Sequence, residues 1–362
     1  MKIQVIKENL LSGVQTVQNI VSPRATLPIL GNILLEASNN NLRMMTTDLD
    51  VGISCEIPVD TQEDGSITIP AKKFSDIIKE LPEGNITIIV KKNNLVDIEC
   101  EKCRFKLMGL PRDEFPKFPE FKDKDTLQLD QAVLKELFNL TSFAVSHEET
   151  RYILNGILVE IKETYIRLVA TDGRRLATVE RKLSVPTKKE FSVIIPIKAV
   201  NELNRNLKDA GKVLIVMGTN QILFDIDKVL IVSRLIEGTF PNYKQVIPES
   251  VEKKVKVNKE EFLAAIRRAN LLATPDFQAI KLELFKNKMV ISKSTPDVGE
   301  SREELEIEYQ GKELIVGFNP HYLIDVLKNL REETIEFELS DADKPGVIRT
   351  ADYLYLVLPM RL

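Results

Sequence analysis

The stretch Ile29-Leu30-Gly31-Asn32-Ile33-Leu34-Leu35-Glu36 returns 124 residues later as Ile153-Leu154-Asn155-Gly156-Ile157-Leu158-Val159-Glu160. Thr47-Asp48 returns as Thr171-Asp172 at the same offset. A third, more diverged copy runs Phe277-Gln278-Ala279-Ile280-Lys281-Leu282-Glu283, 123 residues further on. The later half of each unit also recurs. Ile67-Thr68-Ile69-Pro70-Ala71-Lys72 is echoed by Val193-Ile194-Ile195-Pro196-Ile197-Lys198 and by Leu314-Ile315-Val316-Gly317-Phe318-Asn319. A period this long exceeds any solenoid repeat and matches the size of an ordinary domain. The reading is three similar domains, over residues 1–119, 120–243 and 244–362.

The joints between them are written in proline. Leu110-Pro111-Arg112-Asp113-Glu114-Phe115-Pro116-Lys117-Phe118-Pro119 cannot lie in a helix interior or a central strand. The second joint is Phe240-Pro241-Asn242-Tyr243 through Pro248, and both carry a Phe-Pro pair. Each unit also reads as doubled inside. A helical pattern at 7–21, 130–143 and 258–271 precedes alternating strands, and a second at 71–81, 197–209 and 319–332 precedes more strands. Leu81-Pro82-Glu83-Gly84 is a helix stop. Two helices and many short strands per unit give an α+β class with antiparallel sheets.

Bulk composition narrows the function. Of 362 residues, 43 % are hydrophobic and only 6 % aromatic, with no Trp, so Ile, Leu and Val build the cores. The net charge is −4, unlike a conventional nucleic-acid binder, unless basic groups gather on one surface. The helical segments carry a net +2 and the rest of the chain −6, the right sign but a weak bias. Basic residues sit late in the helices (Lys79, Arg205, Lys208, Arg267, Arg268, Lys328, Arg331), where the helix dipole favours them without any ligand. The N-terminus lacks a signal peptide and no apolar run reaches membrane length, so a cytoplasmic protein is expected.

No catalytic constellation emerges, and no cofactor or metal is expected. Two histidines, His147 and His321, give little basis for a triad, and there is no phosphate-binding glycine loop. The three cysteines are Cys55, Cys100 and Cys103; an odd count argues against a disulfide framework. Cys100 and Cys103 read as neighbouring strand or turn positions, because i and i+3 on one strand face opposite ways and further zinc ligands are missing. Asp172-Gly173 signals a hairpin turn; Arg174 and Arg175 beside it could hold an anion, but a plain turn with two solvated arginines is the favoured reading of these residues alone. Two rivals stand beside a DNA role: a nucleotide-processing enzyme, which would need a titratable cluster, and a repeat scaffold that never meets DNA.

Several segments converge on one family. Thr26-Leu27-Pro28-Ile29-Leu30-Gly31-Asn32, Thr47-Asp48-Leu49, Arg151-Tyr152-Ile153-Leu154-Asn155-Gly156 and Ala170-Thr171-Asp172-Gly173-Arg174-Arg175-Leu176-Ala177 resemble the bacterial replicative sliding clamp, the beta subunit of DNA polymerase III. So do Gly238-Thr239-Phe240-Pro241-Asn242-Tyr243, Val316-Gly317-Phe318-Asn319 and the ending Leu358-Pro359-Met360-Arg361-Leu362. The resemblance covers the whole chain in order. It implies a non-catalytic processivity subunit: a head-to-tail homodimer of six domains around duplex DNA, tethering the polymerase and binding short linear peptides of polymerases and the clamp loader.

Carried over residue by residue, the family's peptide site falls on Leu154, Thr171, Gly173, Arg174, Arg175, Leu176, Pro241, Val246, Phe277, Val357, Leu358, Pro359, Met360 and Leu362. Leu176, Phe277 and Met360 are the expected apolar anchors. Gln245 stands where a basic residue is common in the family, which weakens any charged contact there. Arg24 matches a DNA-touching loop residue, whereas Glu148 replaces a neutral amide and is discounted. The resemblance brings Lys73, Phe105 and Leu107 of one chain towards Leu271, Leu272 and the acids Glu300, Glu303 and Glu304 of the other.

Overall fold

The computed structural model describes residues 1–21, 27–119, 126–188, 190–249 and 253–362. Among the described residues six α-helices carry the repeat: α1 (Lys7–Val17), α2 (Ala71–Glu80), α3 (Gln131–Asn139), α4 (Ile197–Asn206), α5 (Lys259–Asn270) and α6 (Pro320–Asn329). They coincide with the six helical patterns in the sequence, ending three or four residues earlier than four of them and one residue earlier than the other two. The local causes are visible. Asn258 caps α5 by accepting from the Glu261 amide at 3.1 Å, with Glu260 and Glu261 in the first turn. Asn319 caps α6 ahead of Pro320 at its first position. In α2, Ala71, Phe74 and Ile78 form the buried stripe, and Leu81-Pro82 stops it.

The chain falls into two compact units whose boundaries cut through the second repeat. One comprises residues 1–135 and 198–235, the other 136–197 and 236–362. The reason is strand pairing across repeats. In the first unit an eight-stranded antiparallel sheet runs Thr126–Asp130, Lys212–Met217, Gln221–Ile226, Val229–Arg234, Val51–Pro58, Asn41–Thr47, Asn32–Ser38, Gly65–Pro70. Its middle joint pairs repeat one with repeat two, with Val51 opposite Ser233 and Gly52 opposite Val232. In the second unit the corresponding sheet runs Phe191–Pro196, Gly156–Ile161, Tyr165–Thr171, Arg175–Lys182, Tyr353–Val357, Gly346–Arg349, Thr334–Leu339, Lys253–Asn258. Its joint places Arg175 opposite Val357 and Leu176 opposite Leu356, the same register one repeat later.

Two smaller sheets hold the remaining half-repeats. The later half of repeat one forms a five-stranded sheet with Cys103–Met108 at one edge. The earlier half of repeat three forms a four-stranded sheet with Gly299–Glu306 at one edge. These edge strands are the counterparts of Val229–Arg234 and Val51–Pro58, and neither has a partner on its outer side among the described residues.

Each sheet turns one apolar face to helices. Ile33, Leu35, Met44 and Ile53 are fully or almost fully buried, as are Ile280, Leu282, Met289 and Ile291 two repeats later. The cysteines do occupy neighbouring strand positions, but on two strands and not on one. Cys100 and Cys103 flank the Glu101-Lys102 turn and are direct cross-strand partners, so they are not two positions on a single strand. All three thiols are free. Burial, with Glu56 nearby, pushes the Cys55 thiol up to about 12. No helix among the described residues is long and apolar enough to cross a membrane.

Candidate functional site

The candidate peptide residues that the structure describes all belong to the second unit. The first group is built on the hairpin Tyr165–Thr171 to Arg175–Lys182. Asp172 organises its tip: one carboxylate oxygen accepts from the Arg174 amide at 2.8 Å and the Arg175 amide at 3.0 Å. Thr171 Oγ1 donates to the Arg175 carbonyl at 2.6 Å and accepts from the Gly173 amide at 3.1 Å. Gly173 sits at φ 85°, a conformation that favours glycine. A Cβ there would also come within 2.8 Å of Arg151 Nη1, which donates to the Asp172 carbonyl at 2.8 Å.

The two arginines form neither an anion-binding pair nor a pair of solvated side chains. Arg174 is exposed, but Arg175 turns inward and is 8 % exposed. Its guanidinium pairs with Asp172 at 3.1 Å and Asp325 at 2.7 Å, donates to the Phe143 carbonyl, and lies over the Tyr322 ring at 4.4 Å. Burial drives the Arg175 pKa down and the Tyr355, Asp325 and Asp172 neighbours drive it up; the net direction is up. Arg175 is thus a structural clamp beneath the hairpin. Leu176 is likewise a core residue, 2 % exposed, packed in a cluster with Leu158, Val169, Ile194, Tyr243 and Leu356. It forms the floor under the site, not an open anchor. Val357 is fully buried beside it.

The chain's last residues link this hairpin to a second group. The Leu358 amide donates to the Arg174 carbonyl at 2.9 Å, and two residues on the Met360 amide donates to the Gly317 carbonyl at 2.8 Å. Met360, Arg361 and Leu362 then form one wall of a cleft of about 730 Å³, with Phe277 and Gln278 facing them. Val246, Phe277, Leu358 and Leu362 are all at least 40 % exposed, and Phe277 and Leu362 line this cleft. Leu154 is half-buried at the end of the Glu149–Leu154 turn, and Pro241 is exposed on the linker. Gln245 is exposed next to Val246, and Glu148 is paired with Arg151 at 3.0 Å.

Sequence reasoning missed four supports of this site: Arg151, Asp325, Tyr322 and Tyr243. Asp325 lies 150 residues from the arginine it holds, and no local pattern announces such a pair. The repeat did offer one signal. Asp48 caps the Asp50 and Val51 amides as Asp172 caps those of Arg174 and Arg175, and Leu49 takes φ 80° where Gly173 takes 85°.

The expected assembly residues lie on the two free sheet edges and near them. Phe105 is 40 % exposed and Leu107 half-buried on Cys103–Met108 in the first unit, and Lys73 is exposed on α2. In the second unit Leu271 is 80 % exposed just past α5 and Leu272 half-buried. Glu300 is exposed on Gly299–Glu306, while Glu303 is held by Arg268 at 2.8 Å and Glu304 by Arg302 at 2.8 Å. Arg24 lies outside the described residues. Among the described residues no group of three His, Cys, Asp or Glu is placed to hold a metal ion.

Three antiparallel-sheet repeats, fused edge to edge and lined by helix pairs, define a clamp-type architecture. Family models of the DNA polymerase III beta subunit match all of it: the N-terminal domain over residues 1–119, the central domain over 128–242 and the C-terminal domain over 244–361. The chain belongs to the DNA polymerase III beta subunit family. It is 33 % identical to the beta sliding clamp of Vibrio cholerae, with full coverage of both chains. It is similar to the DNA polymerase sliding clamp of Bacillus subtilis, with TM-score 0.95, 35 % identity and coverage of 100 % and 99 %. It is also similar to the Bartonella birtlesii sliding clamp, solved bound to griselimycin, with TM-score 0.95, 34 % identity and full coverage of both chains.

Proposed function

We propose that this chain is a cytoplasmic sliding clamp. Two copies close head to tail around duplex DNA, and the ring tethers a polymerase through short peptides. The observation that carries the reading is the pair of free edges. Within the chain, the third strand of one repeat's first half twice meets the last strand of the next repeat's second half. Gly299–Glu306 and Cys103–Met108 are the remaining unmatched strands of those two kinds. A second copy satisfies both, and three repeats per chain make a six-domain ring. The domains are taken as 1–119, 120–243 and 244–362. Catalysis is left to the polymerase.

The peptide site is proposed at the Thr171–Leu176 hairpin and the Leu358–Leu362 tail, with Leu154, Pro241, Val246 and Phe277 as its apolar rim. Exposed Val246, Phe277, Leu358 and Leu362 supply burial for a partner's side chains, and Arg174 supplies an exposed cation beside Tyr322. Arg24 is proposed to touch the duplex.

The test is topological. A protein that grips about 6–10 phosphates by charge loses about 10³–10⁵ in affinity between about 50 and 200 mM salt. With a net charge of −4, this chain's direct grip is weak and salt-labile. Once loaded on a nicked circular plasmid by a clamp loader, the labelled protein should survive high salt in gel filtration. It should then be lost after a single restriction cut. Arg24→Ala should slow loading and leave retention on circles unchanged. Equal retention on cut and uncut DNA would leave an ordinary DNA-binding protein.

A further inference from the structure

The outer face of the third repeat's sheet is open where the other two are covered. In each repeat the chain leaves its last strand through an isolated antiparallel bridge: Thr68 with Leu110, Ile194 with Ile236, Gly317 with Met360. After the first two bridges the chain folds back over its own sheet. Phe115 and Phe118 pack on Leu34 and Met45; Phe240 and Tyr243 pack on Leu158 and Val169. Leu34–Met45, Leu158–Val169 and Lys281–Ser292 are equivalent cross-strand pairs. At the third pair lies the cleft of about 730 Å³, lined by Lys281, Glu283 and Ser292 on one side and by Met360 and Leu362 on the other.

A carboxylate marks the same spot in every copy. Glu36, Glu160 and Glu283 stand opposite Arg43, Arg167 and Val290 respectively. In the first repeat Glu36 takes Arg112 from the folded-back segment, and Arg43 lies over Phe118 at 5.6 Å. In the second, Glu160 accepts from the Tyr243 hydroxyl at 3.0 Å, which Arg167 also approaches at 3.4 Å. In the third the arginine has become valine, and Glu283 rests against Lys281 at 3.0 Å on its own strand. An adjacent same-strand lysine in water is a weak and replaceable partner.

We propose that the third cleft is a binding groove for an extended segment of a partner protein, which lies where the chain's own linkers lie in the first two repeats and gives an arginine or tyrosine to Glu283. Polar Lys281 and Ser292 replace the apolar floor, so the groove selects by hydrogen bond and charge more than by an aromatic plug. Asp276 and Glu300 on the rim are offset by Lys293, Arg302 and Arg361, which line the same cleft, so selection rests on the contact with Glu283 and not on the net charge of the segment. Phe277, Met360 and Leu362 belong both to this groove and to the peptide site, so the occupant is the stretch flanking the partner's anchor. That flanking placement rests on the proposed function; the groove itself does not.

The probe is a labelled peptide of the chain's own first linker, Leu110 to Phe118 (LPRDEFPKF), read by fluorescence anisotropy on the full-length protein. A second peptide carries Gln in place of its arginine. The arginine peptide should bind about tenfold more tightly, the ratio expected of one charge-assisted hydrogen bond. Glu283→Gln should erase that ratio, and Ser292→Trp, which fills the groove, should abolish binding of both. Glu283→Gln, at a residue outside the peptide site, should leave binding of a polymerase-derived anchor peptide unchanged, so failure of the groove and failure of the peptide site are separable. Equal binding of both peptides to wild type and Glu283→Gln would overturn the proposal. So would a self-association of the protein that Ser292→Trp removes, which would put a second copy in the groove.

Discussion

Asp172 holds Arg175 twice, accepting from its backbone amide at 3.0 Å and from its Nε at 3.1 Å. The turn that shapes the candidate site is therefore tied to a buried cation, which reaches on to Asp325 of α6. Removing that cation leaves the Asp325 carboxylate and one oxygen of Asp172 without their arginine, while the other Asp172 oxygen keeps the backbone amides. Arg175→Met should cost about 3–5 kcal/mol in urea unfolding, the range for breaking a buried pair from one side. Arg174→Ala, at an exposed position held by the Tyr322 hydroxyl, should cost less, about 0.5–1.5 kcal/mol. If the two variants unfold alike, Arg175 is not the clamp described.

The tail divides fold from binding. Leu356 and Val357 are sheet residues, whereas Met360, Arg361 and Leu362 lie beyond the last strand, where Met360 makes an isolated bridge to Gly317 of the strand Leu314–Phe318. Deleting Met360-Arg361-Leu362 should leave the unfolding midpoint nearly unchanged and remove binding of a polymerase-derived peptide. A peptide of five or six residues buries little area, so the wild-type affinity should be on the order of micromolar. Unchanged calorimetric affinity after the deletion would sink the peptide-site assignment.

The threefold repeat, the six helices and the two proline joints were legible in the sequence, because periodicity and proline act locally. The two-unit division was not. It arises from Val51–Pro58 pairing with Val229–Arg234, strands whose alternation says nothing of which neighbour they choose. The candidate site was legible only by resemblance. Thr171 to Leu176 reads as a turn with two arginines, and nothing local tells that Arg175 is buried and Arg174 is not. That difference is set by Asp325 and Phe143, which come from distant stretches.

Glu202 on α4 offers a pH test. It is 2 % exposed, and one of its carboxylate oxygens has no hydrogen-bond partner among the described residues. Burial raises its pKa, against the lowering pull of Arg205 and Lys198. A carboxyl with a raised folded pKa binds its proton more readily folded than unfolded. Its contribution therefore becomes more favourable as pH falls from the folded value towards the unfolded one. Glu202→Gln removes that dependence. The variant's stability relative to wild type should be greatest at neutral pH and shrink on acidification towards pH 5, read as urea midpoints. A constant difference across the range would show that Glu202 does not titrate there.

The ring closure carries a register that can be checked to one residue. Gly52 faces Val232 at the first joint and Leu176 faces Leu356 at the second. The strand ladders place Glu300 at the position of Gly52 and Leu176, since Ser294 faces Glu300 as Thr47 faces Gly52 and Thr171 faces Leu176. The exit bridges place Lys106 at the position of Val232, four residues before its bridge residue Leu110 as Val232 is before Ile236. If the free edges pair by the same rule, Lys106 of one copy faces Glu300 of the other, Phe105 faces Ser301 and Leu107 faces Gly299. A slip of one residue would turn every side chain to the opposite face. In a Cys103→Ser background, Lys106→Cys with Glu300→Cys should give a disulfide-linked dimer on mild oxidation. Lys106→Cys with Ser301→Cys should not, because directly opposed positions meet the distance a disulfide needs and shifted ones do not. Leu271→Ala with Leu272→Ala should weaken the same dimer, each lost leucine costing about 2–5 kcal/mol in a packed site. Equal crosslinking of both cysteine pairs, or a dimer mass in light scattering that the leucine variants do not change at any concentration, would remove the edge-to-edge closure.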